Sequence, residues 1–395
     1  MKIAICNVQE FNPMIGGVER VSVSLATELK RLGHEVIFVA QRRCPWSGEY
    51  MPVAPQFMLP DSDDYTPENV AALTDLLRSE HVDVMINQNG HSYLYNRLIF
   101  EARRASGVPV VSVLHFDPMG RLNSRRGCVN LRMRSLKDNL KAAAHWIALS
   151  RPLRRIGMAD QRRLFRQLVD GSDAVALLSP RFREGFLKVA GLDDAPNLTA
   201  IYNMLSWPLD SDVRYEKENI ILSVGRLYWP QKRLDQLLRA WKLIQDRLPD
   251  WRLVIAGDGP DRSRLETLAS DLRLKRVEFA GFVNPREYYE KSRIFALTSA
   301  HEGSPMTISE AMQSGCVPVA YMSYESIYDQ ITDGRSGYLV GSGDYKALAD
   351  RIVALASDRS LLESMSREAI ASRSRFTPDT IAREWDTFLK SLKKD

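Results

Sequence analysis

Short apolar runs that alternate with longer amphipathic stretches constrain this chain more than any other feature. In the first half the apolar runs are Lys2–Val8, Glu35–Gln41, Val82–Gln88, Pro109–His115, Asp173–Ser179 and Asn197–Asn203. Helical patterns such as Val18–Leu32 and Asn69–Glu80 lie between them. The second half repeats the plan at Ile220–Val224, Trp251–Ala256, Val277–Phe282, Ile294–Thr298, Val317–Met322 and Tyr338–Val340. A strand buried on both faces reads as a continuous apolar run, and parallel strands need a crossover, usually a helix. The alternation therefore predicts α/β folding, with parallel sheets covered by helices on both faces. After Lys232, the residues Leu234, Leu237, Leu238, Trp241 and Ile244 recur at helical spacing and form one core-facing stripe.

A chain of 395 residues is long for one core and suits two doubly wound, Rossmann-like domains. The stretch Met204–Asn219 holds Pro208, polar and acidic residues and no periodicity, so it reads as the hinge. We place the domains at 1–205 and 206–376. Hydrophobic content of 45% and charged content of 26% are those of an ordinary soluble protein. No apolar run approaches the roughly 18 residues of a membrane helix. Met1–Asn7 is too short and too polar for a signal peptide and reads as a first strand. Cys6, Cys44, Cys128 and Cys316 are scattered without metal-type pairing, which fits a reduced cytoplasm and no metal site.

The net charge of +5 is unevenly spread. From Arg121 to Val169 thirteen basic residues face only Asp138 and Asp160, a local charge of +11 that leaves −6 for the rest. Apolar residues are interleaved, among them Leu131, Met133, Leu136 and Ile156, so the segment predicts an anionic membrane surface as partner. A solvated basic face is the plainer alternative. Trp146 and Phe165 are its only large aromatics, too few for nucleic-acid stacking.

The stretch Glu302-Gly303-Ser304-Pro305-Met306-Thr307-Ile308-Ser309-Glu310 carries the chemistry. Ser304 reads as an N-cap and Pro305 as the first helical residue. Backbone N–H groups near Met306 and Thr307 would then point outward as a phosphate site. Glu302 and Glu310 would hold hydroxyls on opposite sides of that phosphate. Alone, the pair reads equally as a solvated loop residue and a solvated helix residue. Upstream, Gly225 ends a strand, Arg226 offers a planar fork and Lys232 a point charge, a set able to converge on a diphosphate. Gly16-Gly17 precedes a helix and allows close approach to phosphate, or is a plain tight turn. Ligands of open parallel sheets bind beyond the carboxyl ends of the strands, where Asn87, His115, Arg226, Asp258 and Glu302 fall. Two such edges facing across the hinge would make a cleft.

In this order, Gly225-Arg226-Leu227, Lys232, Gly257-Asp258-Gly259-Pro260, Gly281-Phe282-Val283, the Glu302/Glu310 pair and Gly315-Cys316-Val317-Pro318-Val319 resemble the family-four retaining glycosyltransferases. Gly16-Gly17-Val18-Glu19-Arg20 and Arg31-Leu32-Gly33-His34-Glu35-Val36 extend the likeness into the first half. The resemblance implies the GT-B architecture, a nucleotide-sugar as substrate, no cofactor and no metal, and a last helix (377–395) that packs back on the first domain. It implies that Arg226, Lys232, Glu302 and His115 serve catalysis. Gly17, Gly225, Phe282, Val283, Ser304, Pro305, Met306, Thr307 and Glu310 bind the donor, with Glu302 on the sugar, Glu310 on the ribose and the Phe282-Val283 backbone on the base. Phe282 as core, His115 as a structural histidine and Glu302 as a covalent nucleophile are the alternatives. Asn87 and His91, in a polar loop, are candidates for acceptor contact.

Gly303-Ser304-Pro305 departs from the commoner Gly-Phe-Gly or Gly-Phe-Pro wording and favours a UDP-sugar. The expected activity is retaining transfer of a hexose or N-acetylhexosamine to a lipid-linked or surface-polysaccharide acceptor, at the inner membrane face. A small soluble anionic acceptor, and a non-catalytic binding protein on the same fold, are the competing readings.

Overall fold

The computed structural model describes residues 1–43, 50–120, 157–209 and 216–392. Most of the basic segment, from Arg121 to Ile156, lies outside the described residues, as do Cys44, Cys128 and residues 210–215 of the expected hinge. The chain divides into two compact units; Pro378 onward groups with the N-terminal one, and Trp207–Thr377 belong to the other.

The first unit holds seven parallel strands: β1 (Lys2–Gln9), β2 (Glu35–Arg42), β3 (Gln56–Met58), β4 (Val84–Asn87), β5 (Val110–Leu114), β6 (Ala174–Leu177) and β7 (Leu198–Ala200). Their spatial order is β3-β2-β1-β4-β5-β6-β7. The strand β3 is absent from the sequence reading. It has three residues, all half-buried, at the sheet edge, so it is too short and too mixed to leave a periodic signal. In β1, Ile3, Ala4, Ile5 and Cys6 have no exposed surface, as a strand covered on both faces requires.

The second unit holds six parallel strands: β8 (Glu218–Val224), β9 (Arg252–Ala256), β10 (Val277–Gly281), β11 (Ser292–Leu297), β12 (Val317–Tyr321) and β13 (Tyr338–Val340). Their order is β10-β9-β8-β11-β12-β13. In both sheets the strand order reverses once, at β1/β4 and at β8/β11. Chain leaving neighbouring strands there turns to opposite faces and opens a crevice, the place where doubly wound sheets take ligands.

The helix Pro378–Ser391 packs on the first unit through Ile381, Trp385 and Leu389. Two polar contacts fix it there: Arg31 with Asp379 at 2.5 Å and His34 Nε2 with Asp386 Oδ1 at 2.8 Å. Among the described residues no helix is long and apolar enough to cross a membrane.

Candidate donor and catalytic site

On the second unit, the expected donor residues gather at the carboxyl ends of β8, β9, β10 and β11. Gly225 follows β8 with φ 151°, and its N–H donates to Ala256 O at 3.0 Å. Gly257, with φ 134°, lies so close that a Cβ there would sit 2.1 Å from Gly225 O. Only glycine lets these two strand ends meet. The next residue, Arg226, is exposed, with its guanidinium 5.8 Å from the Tyr228 ring. Its fork is therefore presented to solvent at the strand end.

Lys232 closes the short helix Trp229–Lys232, whose start is tied to Asp261 through the Trp229 N–H. Its Nζ lies 2.6 Å from Glu302 Oε1, with the two side chains only 15% and 10% exposed. Gln231 Nε2 approaches the other carboxylate oxygen at 3.4 Å. Sequence reasoning gave Lys232 to the diphosphate and Glu302 to the sugar. The structure joins them as one ion pair, set between the turn after β8 and the loop after β11.

The helix expected to bind phosphate runs from Met306 to Gln313. It starts one residue later than expected, with Pro305 as its N-cap and no side-chain cap. Ser304 is not that cap; its Oγ accepts instead from Gln330 Nε2 at 3.3 Å. Gln330 also reaches Pro305 O and Ser309 Oγ, so it holds the whole turn from behind. With no side chain over the first turn and no acid within it, the N–H groups and the positive helix end stay available to an anion. Thr307 Oγ1 is buried without a hydrogen-bond partner at the same turn, a donor awaiting an acceptor.

Glu310 is the residue expected to hold the ribose. It has no exposed surface, and Tyr289 Oη donates to its Oε2 at 3.0 Å. In this conformation it is an enclosed carboxylate rather than an open hold for a ribose, because its helix face packs on the cluster of Tyr289, Phe295 and Ile308. Phe282 resolves the other way: at 58% exposure it is not core, and it stands outward beside partly buried Val283.

On the first unit, Gly16 caps the helix Gly17–Arg31 without a side-chain bond. A Cβ on Gly16 would lie 2.6 Å from Glu19 Oε2, so the glycine makes room for a buried glutamate. Asn7 Nδ2 donates to Glu19 Oε1 at 3.1 Å, and Asn89 Nδ2 to Asn7 Oδ1 at 2.6 Å. Half-buried His115 follows β5, with Nε2 2.6 Å from Gln88 Oε1, which fits an N–H donated to the amide oxygen. Burial, helped by the charge of His91, pulls its pKa from 6.5 down to about 3, so the ring is neutral at ordinary pH. His91 itself is exposed. Asn87 is not available to an acceptor. It is fully buried, donates to Asn96 Oδ1 and Ser112 Oγ, and accepts from the Asn89 N–H. A strand-end position cannot by itself tell a rim residue from one turned inward.

Tyr289, Gln330 and Arg373 were not anticipated. Arg373 is 1% exposed and donates to Gln330 O and Ser309 Oγ. Burial, and then the Arg375 charge, bring its pKa down to about 9. All three lie far from the motif in sequence and carry no local pattern. Glu19 and Gln88 stood beside quoted motifs, and their spacing was the available clue. Among the described residues no cluster of three or more His, Cys, Asp or Glu side chains is placed to hold a metal.

Comparison with known proteins shows the family of the chain. The profile described as Glycosyltransferase Family 4 matches residues 15–205, and Glycosyl transferases group 1 matches 210–372. The chain belongs to this glycosyltransferase family. Its two Rossmann-like units are those of the GT-B class. Among relatives of this family, an exopolysaccharide phosphotransferase of Streptomyces coelicolor is 30% identical over 56% of this chain and 23% of its own length. A GalNAc-alpha-(1->4)-GalNAc-alpha-(1->3)-diNAcBac-PP-undecaprenol alpha-1,4-N-acetyl-D-galactosaminyltransferase of Campylobacter jejuni is 30% identical over 46% of this chain and 51% of its own. The chain thus spans about half or less of these two relatives. Among solved structures, Anabaena HepE in complex with UDP-glucose superposes with TM-score 0.74 at 18% identity, covering 99% of this chain and 100% of that one. TarM of Staphylococcus aureus, solved with fondaparinux, alpha-GlcNAc-glycerol and UDP, gives 0.73 at 15% identity, covering 98% and 99%.

Proposed function

We propose that the protein transfers a hexosyl or N-acetylhexosaminyl group from a UDP-sugar to a hydroxyl of a lipid-linked or surface-polysaccharide acceptor, with retention and without a metal. One observation carries the reading. Arg226, the Lys232–Glu302 pair and the uncapped start of Met306–Gln313 converge where the order of the second sheet reverses. Two cations and a helix N-terminus suit a leaving diphosphate. Glu302, already beside Lys232, suits the hydroxyls of the sugar attached to it. Phe282 and Val283, after β10, suit the base. On the first unit the assigned roles fall to His115 and the Gly16-Gly17 turn.

In the proposed reaction the bond from the anomeric carbon to the β-phosphate oxygen breaks. A bond to the acceptor oxygen forms on the same face. The acceptor proton passes to the departing phosphate oxygen. Neutral His115 gives its single N–H to Gln88 Oε1, so its other ring nitrogen is left as a hydrogen-bond acceptor. The solved neighbours with UDP or UDP-glucose, and relatives named for polysaccharide or undecaprenol-linked glycans, support the donor and acceptor classes. The ten basic residues between Arg121 and Arg155 support peripheral attachment at an anionic inner membrane face. Hydrolysis of a panel of UDP-, GDP- and ADP-sugars, with the released anomer read by NMR, tests the reading. Turnover of UDP-sugars with an α-anomer from an α-donor is expected. Inverted product, or no turnover of any nucleotide-sugar, removes it.

A further inference from the structure

The first unit carries a second concave surface that the reaction does not use. A groove of about 770 Å³ runs between the helix Tyr93–Ser106 and helical residues 157–171. Arg97 and Arg104 stand on one wall, and Arg162, Arg163 and Arg166 on the other. Asp170 is the one acid among its described lining residues. Its floor is apolar, with Phe100 and Met158. Phe100 lies against Gly171 so closely that a Cβ there would come within 2.3 Å of the ring.

The arginines are held in place. Arg162 and Arg166 donate to Val189 O, Ala190 O and Gly191 O, the last carbonyls of the helix Phe182–Ala190. Arg97 pairs with Glu101 at 2.9 Å, and the Arg163 guanidinium lies 4.3 Å over the Tyr93 ring. Arg104 is freer, 66% exposed and 4.0 Å from Glu101. Against these five arginines the described surroundings set Glu101 and Asp170, so a net positive charge faces the channel and favours an anion within it.

The shape selects the kind of anion. A membrane is flat and meets protruding surfaces, whereas here the cations line both sides of a trough. Arg97 and Arg104 are two helical turns apart, about 10 Å. The charges therefore repeat along the groove rather than meet at a point. Among the described lining residues the rings are Tyr93, covered by Arg163, and Phe100, which is buried, so single-stranded nucleic acid has little to stack on.

We propose that this groove binds a linear glycan or polyol chain bearing one negative charge per repeat, the extended portion of an acidic acceptor. The proposal rests on the transferase reading above for the word acceptor, and on the groove alone for the binding. The test uses the full chain and the double variant R104Q/R163Q, which leaves the helix-capping arginines in place. Binding of long-chain polyphosphate and of alginate is measured by calorimetry across a salt series, beside dextran, oligo-thymidylate, anionic phosphatidylglycerol vesicles and UDP. The expected result is salt-sensitive binding of both acidic chains, weakened roughly tenfold or more and with a shallower salt slope in the variant. UDP binding should be equal in the two proteins, and dextran should not bind. Equal affinity of both proteins for the acidic chains overturns the proposal. So does a variant that loses vesicle or oligonucleotide binding while keeping the acidic chains. Wild type that fails to bind UDP yet binds acidic chains through these arginines upholds the groove and removes the transferase reading.

Discussion

Lys232 shows what a single position can and cannot disclose. Its spacing from Gly225 marked it as a phosphate cation, but nothing local announced that Glu302 would neutralise it at 2.6 Å. The pairing has a consequence for catalysis. On the proposed reading, a donor diphosphate would share or displace that carboxylate, which would couple recognition of the sugar to the phosphate clamp. Replacing Lys232 by Ala should lower turnover by ~10²-fold or more, as loss of a charge-stabilising group does. Near-wild-type turnover of the preferred UDP-sugar in that variant would take Lys232 out of the mechanism. His115 offers a test in pH. The unfolded ring takes a proton below about 6.5, while burial delays protonation of the folded ring to about 3. Between those values the unfolded state binds more protons, so stability falls as pH falls. Urea unfolding at pH 7 and pH 4.5 should show a smaller acid loss in His115→Phe than in wild type. Equal losses would mean that His115 titrates normally in the folded protein.

At the scale of elements, two contacts decide whether the site residues are where their strands place them. Gly257 lets β8 and β9 end side by side, with φ 134° and no room for a Cβ. Gly257→Ala should push Gly225 and Arg226 aside, and UDP affinity measured by calorimetry should drop before activity is assayed. A variant that binds UDP as tightly as wild type would show that this strand junction yields without cost. The helix Pro378–Ser391 is the second case. Its Ile381 and Trp385 line a small cavity with Gln88, His115 and Tyr202, so the end of the chain shapes the surroundings of a residue far earlier in sequence. Trp385→Ala removes a side chain only 6% exposed and should cost about 3–5 kcal/mol, as large aromatic deletions from cores do. Thermal unfolding of the full chain reads this directly; an unchanged midpoint would mean that the helix is only loosely seated. The last helix was expected from the family resemblance, and Ile381, Trp385 and Leu389 form its buried face. The start of Met306–Gln313 was misplaced by one residue, because Gln330 takes up Ser304 Oγ.

For the whole molecule, the proposed chemistry supplies its positive charge from side chains and a helix end, so activity should persist in excess EDTA. Strict Mg²⁺ or Mn²⁺ dependence of sugar transfer would contradict it. The sequence by itself determined that this chain makes two parallel α/β sheets and where their ligand-bearing edges fall. Apolar runs of strand length separated by amphipathic crossovers admit few other solutions, and the glycines at strand ends report a backbone demand that is local. It also determined which types of group stand after β8 and β11, because those residues lie within a few positions of the strands that carry them. Only the tertiary structure decided how those groups are used. It enclosed Glu310 beneath Tyr289, turned Asn87 inward onto Asn96 and Ser112, and left Phe282 exposed. It brought Gln330 and the buried Arg373 behind the turn expected to bind phosphate. Burial and pairing depend on which distant segments arrive at a strand end. Residues that sit alike in the sequence therefore end as an exposed group, a core packer or a support, according to partners 9 to 43 positions away.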